Sequence, residues 1–223
     1  MNEHRTFMFY LGLDLGKLRD YTALAMVERV AASGELVVRY LERAALGTPY
    51  TRVAAIMAEL TRHRELAGRC YLAVDATGVG HPVVEQLRAA GLGCRGMTAV
   101  TITSGERARQ SSTAGGPGEC WTVPRQDLLS GVQVLLERGE LKIARRMKEA
   151  GTLVRELESM RTRLGGGGSS SEQHDDLALA VALACWQAGR RQHAGFLGRA
   201  DCCEEWTGNL FTASRNAAVT TDP

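Results

Sequence analysis

The sequence predicts an α/β fold: a mixed sheet, in which a three-stranded antiparallel meander is joined by parallel strands, flanked by helices. Three observations predict it. Apolar runs over residues 7–13, 22–30 and 36–43 follow one another, with Ser33-Gly34 as turn chemistry between the second and third, which is the pattern of a meander. A strand, helix and strand in succession over residues 71–75, 82–90 and 95–102 require a parallel crossover. The stretch 177–186 is apolar almost all round, which marks a helix buried between the sheet and its neighbours.

The remaining elements follow in order. Thr48-Pro49 offers a cap and a first-turn proline ahead of Val53, Ile56, Met57 and Leu60, spaced i, i+3, i+4 and i+7, so a helix covers one face of the sheet. Val83, Val84 and Leu87 give the crossover helix its apolar side. Residues 104–120 are rich in Gly, Ser and charge without periodicity and read as an exposed loop. Order resumes at Thr122, where Pro124 precedes a helical stripe of Leu128, Leu129, Val132, Leu135 and Leu136 ending near Gly139. Residues 141–144 suit a short edge strand, and 146–160 carry a second helical stripe through Leu153, Val154, Leu157 and Met160. Beyond Gly189 the pattern fades, so the expected organisation is one domain over residues 1–190 and a weakly ordered tail over 191–223.

A chain of 223 residues that is 44% hydrophobic can bury one substantial core. A formal net charge of +2 is too small to announce a polyanion partner, so any such contact must come from a local patch. The six cysteines include no C-x-x-C pair, and a chain this long needs no disulfide staples, which points to a reducing cytosol. The apolar helix is about half the length a bilayer requires, and Asp14 interrupts the N-terminal apolar run, so neither a membrane span nor a signal peptide is expected.

Three short signatures carry the chemistry: Leu11-Gly12-Leu13-Asp14-Leu15-Gly16, Ala73-Val74-Asp75-Ala76-Thr77-Gly78 and His174-Asp175-Asp176-Leu177. Each sets a carboxylate at the edge of an apolar segment. Burying such a group costs roughly several kcal/mol unless it is paired, hydrogen-bonded or bound to a cation. Each signature also has a plain reading. Asp14 suits a turn, Thr77 a helix cap, and Asp175 or Asp176 an N-cap or a partner of the helix dipole. Three acids widely separated in sequence suggest a shared cation site that only a folded domain assembles, with Gly12 and Gly16 leaving room for a ligand near the backbone. Aspartates without histidine or cysteine clusters suit Mg2+ or Mn2+ better than Zn2+.

These signatures, together with Asp20-Tyr21-Thr22-Ala23 and Val123-Pro124-Arg125 through Leu136, resemble the nuclease domain of phage terminase large subunits over about residues 8–188. The resemblance implies a ribonuclease H-like fold and endonucleolytic cutting of double-stranded viral DNA during genome packaging in the host cytoplasm. It implies two Mg2+ or Mn2+ ions, with Asp14, Asp75, Asp175 and Asp176 as catalytic metal-binding acids and Asp20 as a further acidic position. An ATPase domain or subunit, the small terminase subunit and the portal are the implied protein partners. No G-x-x-x-x-G-K-[ST] phosphate loop occurs, so ATP hydrolysis is not expected of this chain alone.

The local basic patch lies over residues 142–163, where seven basic residues stand against three acidic ones. Lys17, Arg145, Arg146, Arg161 and Arg163 are candidate DNA contacts, although a solvated helix face would carry the same charges. His174 positions a water or caps the helix, and Cys202-Cys203 with Asp201 and His193 match no common zinc spacing. Competing functions are a Holliday-junction resolvase-like nuclease, which shares the first strand pattern, a sugar kinase-like phosphate binder, and a non-catalytic DNA-packaging module.

Overall fold

The computed structural model describes residues 8–16, 20–78, 80–111, 119–164 and 175–191, with the backbone alone at 80, 81 and 161–164. Three strands, β1 (Met8–Asp14), β2 (Ala23–Arg29) and β3 (Leu36–Arg43), form the expected antiparallel meander. Helix α1 (Tyr50–Arg62) leads to β4 (Cys70–Asp75), which lies parallel to β1. Helix α2 (Gly80–Ala89) then crosses to β5 (Gly96–Thr103), parallel to β4. A short β6 (Arg109–Ser111) precedes β7 (Glu119–Pro124), α3 (Arg125–Glu137), β8 (Leu141–Ile143), α4 (Ala150–Leu164) and α5 (Asp176–Arg190). The strands join in one sheet of order β6-β7-β5-β4-β1-β2-β3-β8, with β8 parallel to β3 at one edge.

Each face of the sheet has its own core. Leu11, Leu13, Leu72 and Val74 pack against Val53, Met57 and Leu60 of α1 and Val83 and Leu87 of α2. Ala25, Val27, Ala73, Val100 and Val123 on the opposite face meet Leu128 and Val132 of α3, Leu153 of α4 and nearly the whole of α5. β1 and β4 are covered on both faces, which is why they read as unbroken apolar runs. Each large aliphatic side chain buried this way contributes roughly 1.5–3 kcal/mol.

α5 owes its depth to small residues. Alanines 178, 180, 182, 184 and 188 are all essentially inaccessible and let the helix axis approach the strands. Gly12 completes that fit: a Cβ there would stand 1.9 Å from the Ala180 carbonyl oxygen and 2.8 Å from the Ala184 nitrogen. Gly16 is filled likewise by the Asp20 and Tyr21 backbone, and its N–H donates to Thr22 Oγ1 at 3.2 Å. The two glycines therefore serve chain packing, which corrects the expectation that they leave room for a ligand.

Other expectations shift for physical reasons. Part of the 104–120 stretch is sheet, because β6 pairs antiparallel with β7; all three β6 residues are exposed and polar, so no alternation betrays the strand. Thr48 does not cap α1; its hydroxyl donates to the Ala45 carbonyl, and Pro49 occupies the cap position without a side-chain bond. Val154 lies 42% exposed, off the buried stripe of α4. Arg191, expected in the tail, packs its guanidinium 4.6 Å from the Tyr71 ring centre. The rest of the tail, residues 192–223, lies outside the described residues, as do Lys17 and His174.

Candidate metal centre

β1 and β4 run parallel with Leu13 beside Val74, so the next residue of each, Asp14 and Asp75, close neighbouring strands at the same edge. Side chains alternate along a strand, and Gly12 and Ala73 both face α5, so the two aspartates point to that face as well. α5 runs antiparallel to these strands. Arg191, just past its end, lies over the ring of Tyr71 near the start of β4, while Ala180 and Ala184 lie over Gly12, further along the strands. Its first turn, with Asp175 and Asp176, consequently reaches the edge where Asp14 and Asp75 end their strands.

The electrostatics register this meeting. Asp14 is 8% exposed, and its carboxyl is pushed well above the ordinary carboxylate range, first by burial and then by the charges of Asp75, Asp176 and Asp175. Arg125 is the cation that opposes this rise. Asp176 is buried at 6% exposure, and Asp75 and Asp175 are half-buried. Each of these three has a protein contact: Asp75 Oδ1 accepts the Thr77 N–H at 2.7 Å, Asp175 pairs with Arg125, and Asp176 Oδ2 lies 3.6 Å from Arg43. Among the described residues no three His, Cys, Asp or Glu side chains are already drawn into ligand geometry around one point.

Asp175 takes the N-cap position of α5 but makes no side-chain cap bond. The cap comes from elsewhere: Glu156 of α4 accepts the Ala178 N–H at 2.9 Å with one oxygen and Arg43 with the other. Glu156 is 5% exposed, and burial pushes its carboxyl up to about 7 despite the Ala178 bond and Arg43. Arg43 also lies over the Tyr21 ring, 5.2 Å from its centre. The site edge is thus a row of alternating charge: Arg125, the four aspartates, Arg43 and Glu156.

Arg43, Arg125 and Glu156 were not singled out as site residues by the sequence reading. The signal for Glu156 was present, since it falls three residues after Leu153 and four before Met160, on the buried side of α4. A carboxylate in that row must be paired or protonated. Asp20 sits exposed in the β1–β2 connection, and the leading charges that raise Asp14 are those of Asp75, Asp176 and Asp175. Arg145 and Arg146 are exposed in the turn between β8 and α4. The side chains of Arg161 and Arg163, and the zinc-like group at 193–203, fall outside the description.

The donor set fits a hard divalent cation. Every nearby acid is an oxygen donor, and a buried carboxylate surrounded by others gains most from a positive ion. Among the described residues no helix is long and apolar enough to cross a membrane.

Comparison with known proteins supplies the context. The family described as Terminase RNaseH-like domain matches residues 11–187. The structure is similar to the large terminase nuclease from thermophilic phage G20c, with 22% identity, a TM-score of 0.52 and coverage of 81% of this chain and 82% of that one. It is similar to the human cytomegalovirus terminase nuclease domain, Mn soaked and inhibitor bound, with 15% identity, a TM-score of 0.55 and coverage of 83% and 86%. The P22 large terminase nuclease domain matches at 14% identity and a TM-score of 0.50, covering 86% of this chain and 85% of that one. No curated protein matches the chain.

Proposed function

This chain belongs to the terminase RNaseH-like domain family, and from that membership we propose that it is a metal-dependent endonuclease cutting double-stranded viral DNA during genome packaging. The observation that carries the reading is the convergence of Asp14, Asp75, Asp175 and Asp176 at one sheet edge, with Asp14 held well above its ordinary proton affinity by burial and by the other three. A nuclease of this kind needs concentrated negative charge that a cation relieves.

In the proposal, Asp14, Asp75, Asp175 and Asp176 hold two Mg2+ or Mn2+ ions, and Asp20 is a further acid available from the β1–β2 connection. Two such ions supply a water made nucleophilic near neutral pH and neutralisation of the leaving alkoxide. The chain's own residues do the positioning. The rigid edge of β1 and β4 fixes two of the acids, and α5 delivers the other two from a buried helix that cannot tilt without opening the core. Arg125, 41% exposed beside Asp175, stands where a phosphate backbone would approach. Arg145 and Arg146, with Lys17, Arg161 and Arg163, are the further DNA contacts proposed from the sequence.

The chain lacks a phosphate loop, so the DNA-translocating ATPase is proposed as another domain or subunit, with the small terminase subunit and the portal completing the assembly in the host cytoplasm. Incubation with supercoiled plasmid, linear duplex and a four-way junction, each with Mg2+, Mn2+ or chelator, tests the reading. Ion-dependent cutting of ordinary duplex, lost in Asp14→Asn and Asp75→Asn, is expected. Cutting that ignores these substitutions overturns the proposal, and restriction to the junction replaces it with the resolvase reading.

A further inference from the structure

Arg43, at the end of β3, is shared unequally between two acids: it is paired with Glu156, while Asp176 Oδ2 stays 3.6 Å away, beyond a hydrogen bond. Glu156 reaches this pair from α4 and is fixed at its other oxygen by the Ala178 N–H, in the first turn of α5. Asp176 is two residues from that N–H. One buried carboxylate therefore grips both the helix turn that carries Asp176 and the cation that competes for it.

We propose that Glu156 is a positioning residue which holds Arg43 off Asp176 and so keeps that carboxylate available to a divalent ion. The inference rests on the metal-centre reading of Asp14, Asp75, Asp175 and Asp176. Its physical content is a competition. With Glu156 charged, the guanidinium has a nearby anion that is better aligned than Asp176. With Glu156 replaced by its neutral amide, Arg43 turns to Asp176, already 3.6 Å away, and an incoming cation must displace it. Capping of α5 does not account for this arrangement, because a neutral amide oxygen would cap the Ala178 N–H equally well.

The test is Mn2+ affinity measured by calorimetry on folded, DNA-free protein, with circular dichroism and melting curves confirming the fold of each variant. Glu156→Gln keeps the cap acceptor and removes the charge, and is expected to weaken Mn2+ binding about tenfold, the lower end of what supporting residues around metal sites contribute. Arg43→Gln is expected to bind Mn2+ at least as tightly as the wild type. The double variant Glu156→Gln/Arg43→Gln is expected to return to near wild-type affinity, because the competitor has gone. A purely structural role would instead make the losses add. Unchanged affinity in Glu156→Gln, or a double variant weaker than either single one, overturns the inference while leaving the metal centre standing. A wild type that binds Mn2+ no better than Asp14→Asn overturns both. Should Glu156→Gln fail to fold, Arg43→Gln alone decides: a tenfold loss of affinity there contradicts the competition.

Discussion

The guanidinium of Arg125, the first residue of α3, is paired with the carboxylate of Asp175, the residue immediately ahead of α5. The pair ties together two segments that sequence alone leaves far apart, and it places a cation against the aspartate cluster. A metal ion binding at Asp175 must exchange with this arginine. Arg125→Ala is therefore expected to tighten Mn2+ binding by a few-fold at most, since a pair with one partner 41% exposed is worth about 1 kcal/mol or less. Calorimetric titration measures it, and weaker binding would mean that Arg125 orders Asp175 rather than competing for it.

Asp14→Asn is expected to stabilise the ion-free protein. Burial and three neighbouring carboxylates raise the Asp14 carboxyl well above its ordinary value of 3.8, so the native state holds a proton that the unfolded chain releases. Stability contributed by that proton is present at acid pH and is lost as pH rises through the raised native value. At neutral pH the amide variant escapes the loss, and its melting midpoint should lie a few degrees above wild type, as about 1 kcal/mol moves a domain of this size by roughly 2–4 °C. The difference should vanish toward pH 3 (about one unit below the ordinary value). Mn2+ should raise the wild-type midpoint and leave the variant unmoved.

How much of this was legible in the sequence depends on whether the cause was local. β1, β4 and α5 could be read because they are buried on all sides, and an acid that ends such a run stands out as an anomaly. That is why Asp14, Asp75, Asp175 and Asp176 were found as candidates. Glu156 sits among Arg155 and Glu158, both exposed, and its sequence neighbourhood looks like a solvated helix. Only the row it shares with Leu153 and Met160 distinguishes it. β6 pairs through its backbone with β7, and three exposed polar residues carry no trace of that pairing. Gly12 was misread because the helix filling its space lies at the other end of the chain.

Glycine substitutions should separate packing from propensity. Gly12→Ala drives a methyl into the Ala180 carbonyl and the Ala184 nitrogen, both backbone atoms that a side-chain rotation cannot clear. α5 must lift from the sheet, at a cost of about 3 kcal/mol or more for overpacking against rigid backbone. Gly131, inside α3, faces open space, and Gly131→Ala should stabilise by about 0.5–1 kcal/mol through helix propensity. Urea denaturation of both variants gives opposite signs if α5 docks as described. Because α5 carries Asp175 and Asp176, Gly12→Ala should also lose the Mn2+ thermal shift.

The opposite end of α5 is held by a charge cluster with its own pH signature. Glu119, at the start of β7, accepts hydrogen bonds from Arg190 at 3.1 Å, Arg191 at 2.9 Å and Thr98 at 3.2 Å. Arg190 is further held by the rings of Trp121 and Trp186, 4.1 and 4.8 Å from their centres. Burial alone would raise the Glu119 carboxyl, but the bond and charge of Arg190, then Arg191 and Thr98, outweigh it and hold the group below its ordinary 4.5. A depressed carboxyl stabilises fully above the ordinary value and stops doing so as pH falls through the native one. Glu119→Gln should therefore lower stability at neutral pH by about 1 kcal/mol or less, the side chain being about a third exposed and screened by solvent. Melting curves taken downward in pH should show the gap between variant and wild type closing below pH 4.5. A gap that persists unchanged into acid would assign the loss to altered packing of Arg190 between the tryptophans instead of to charge.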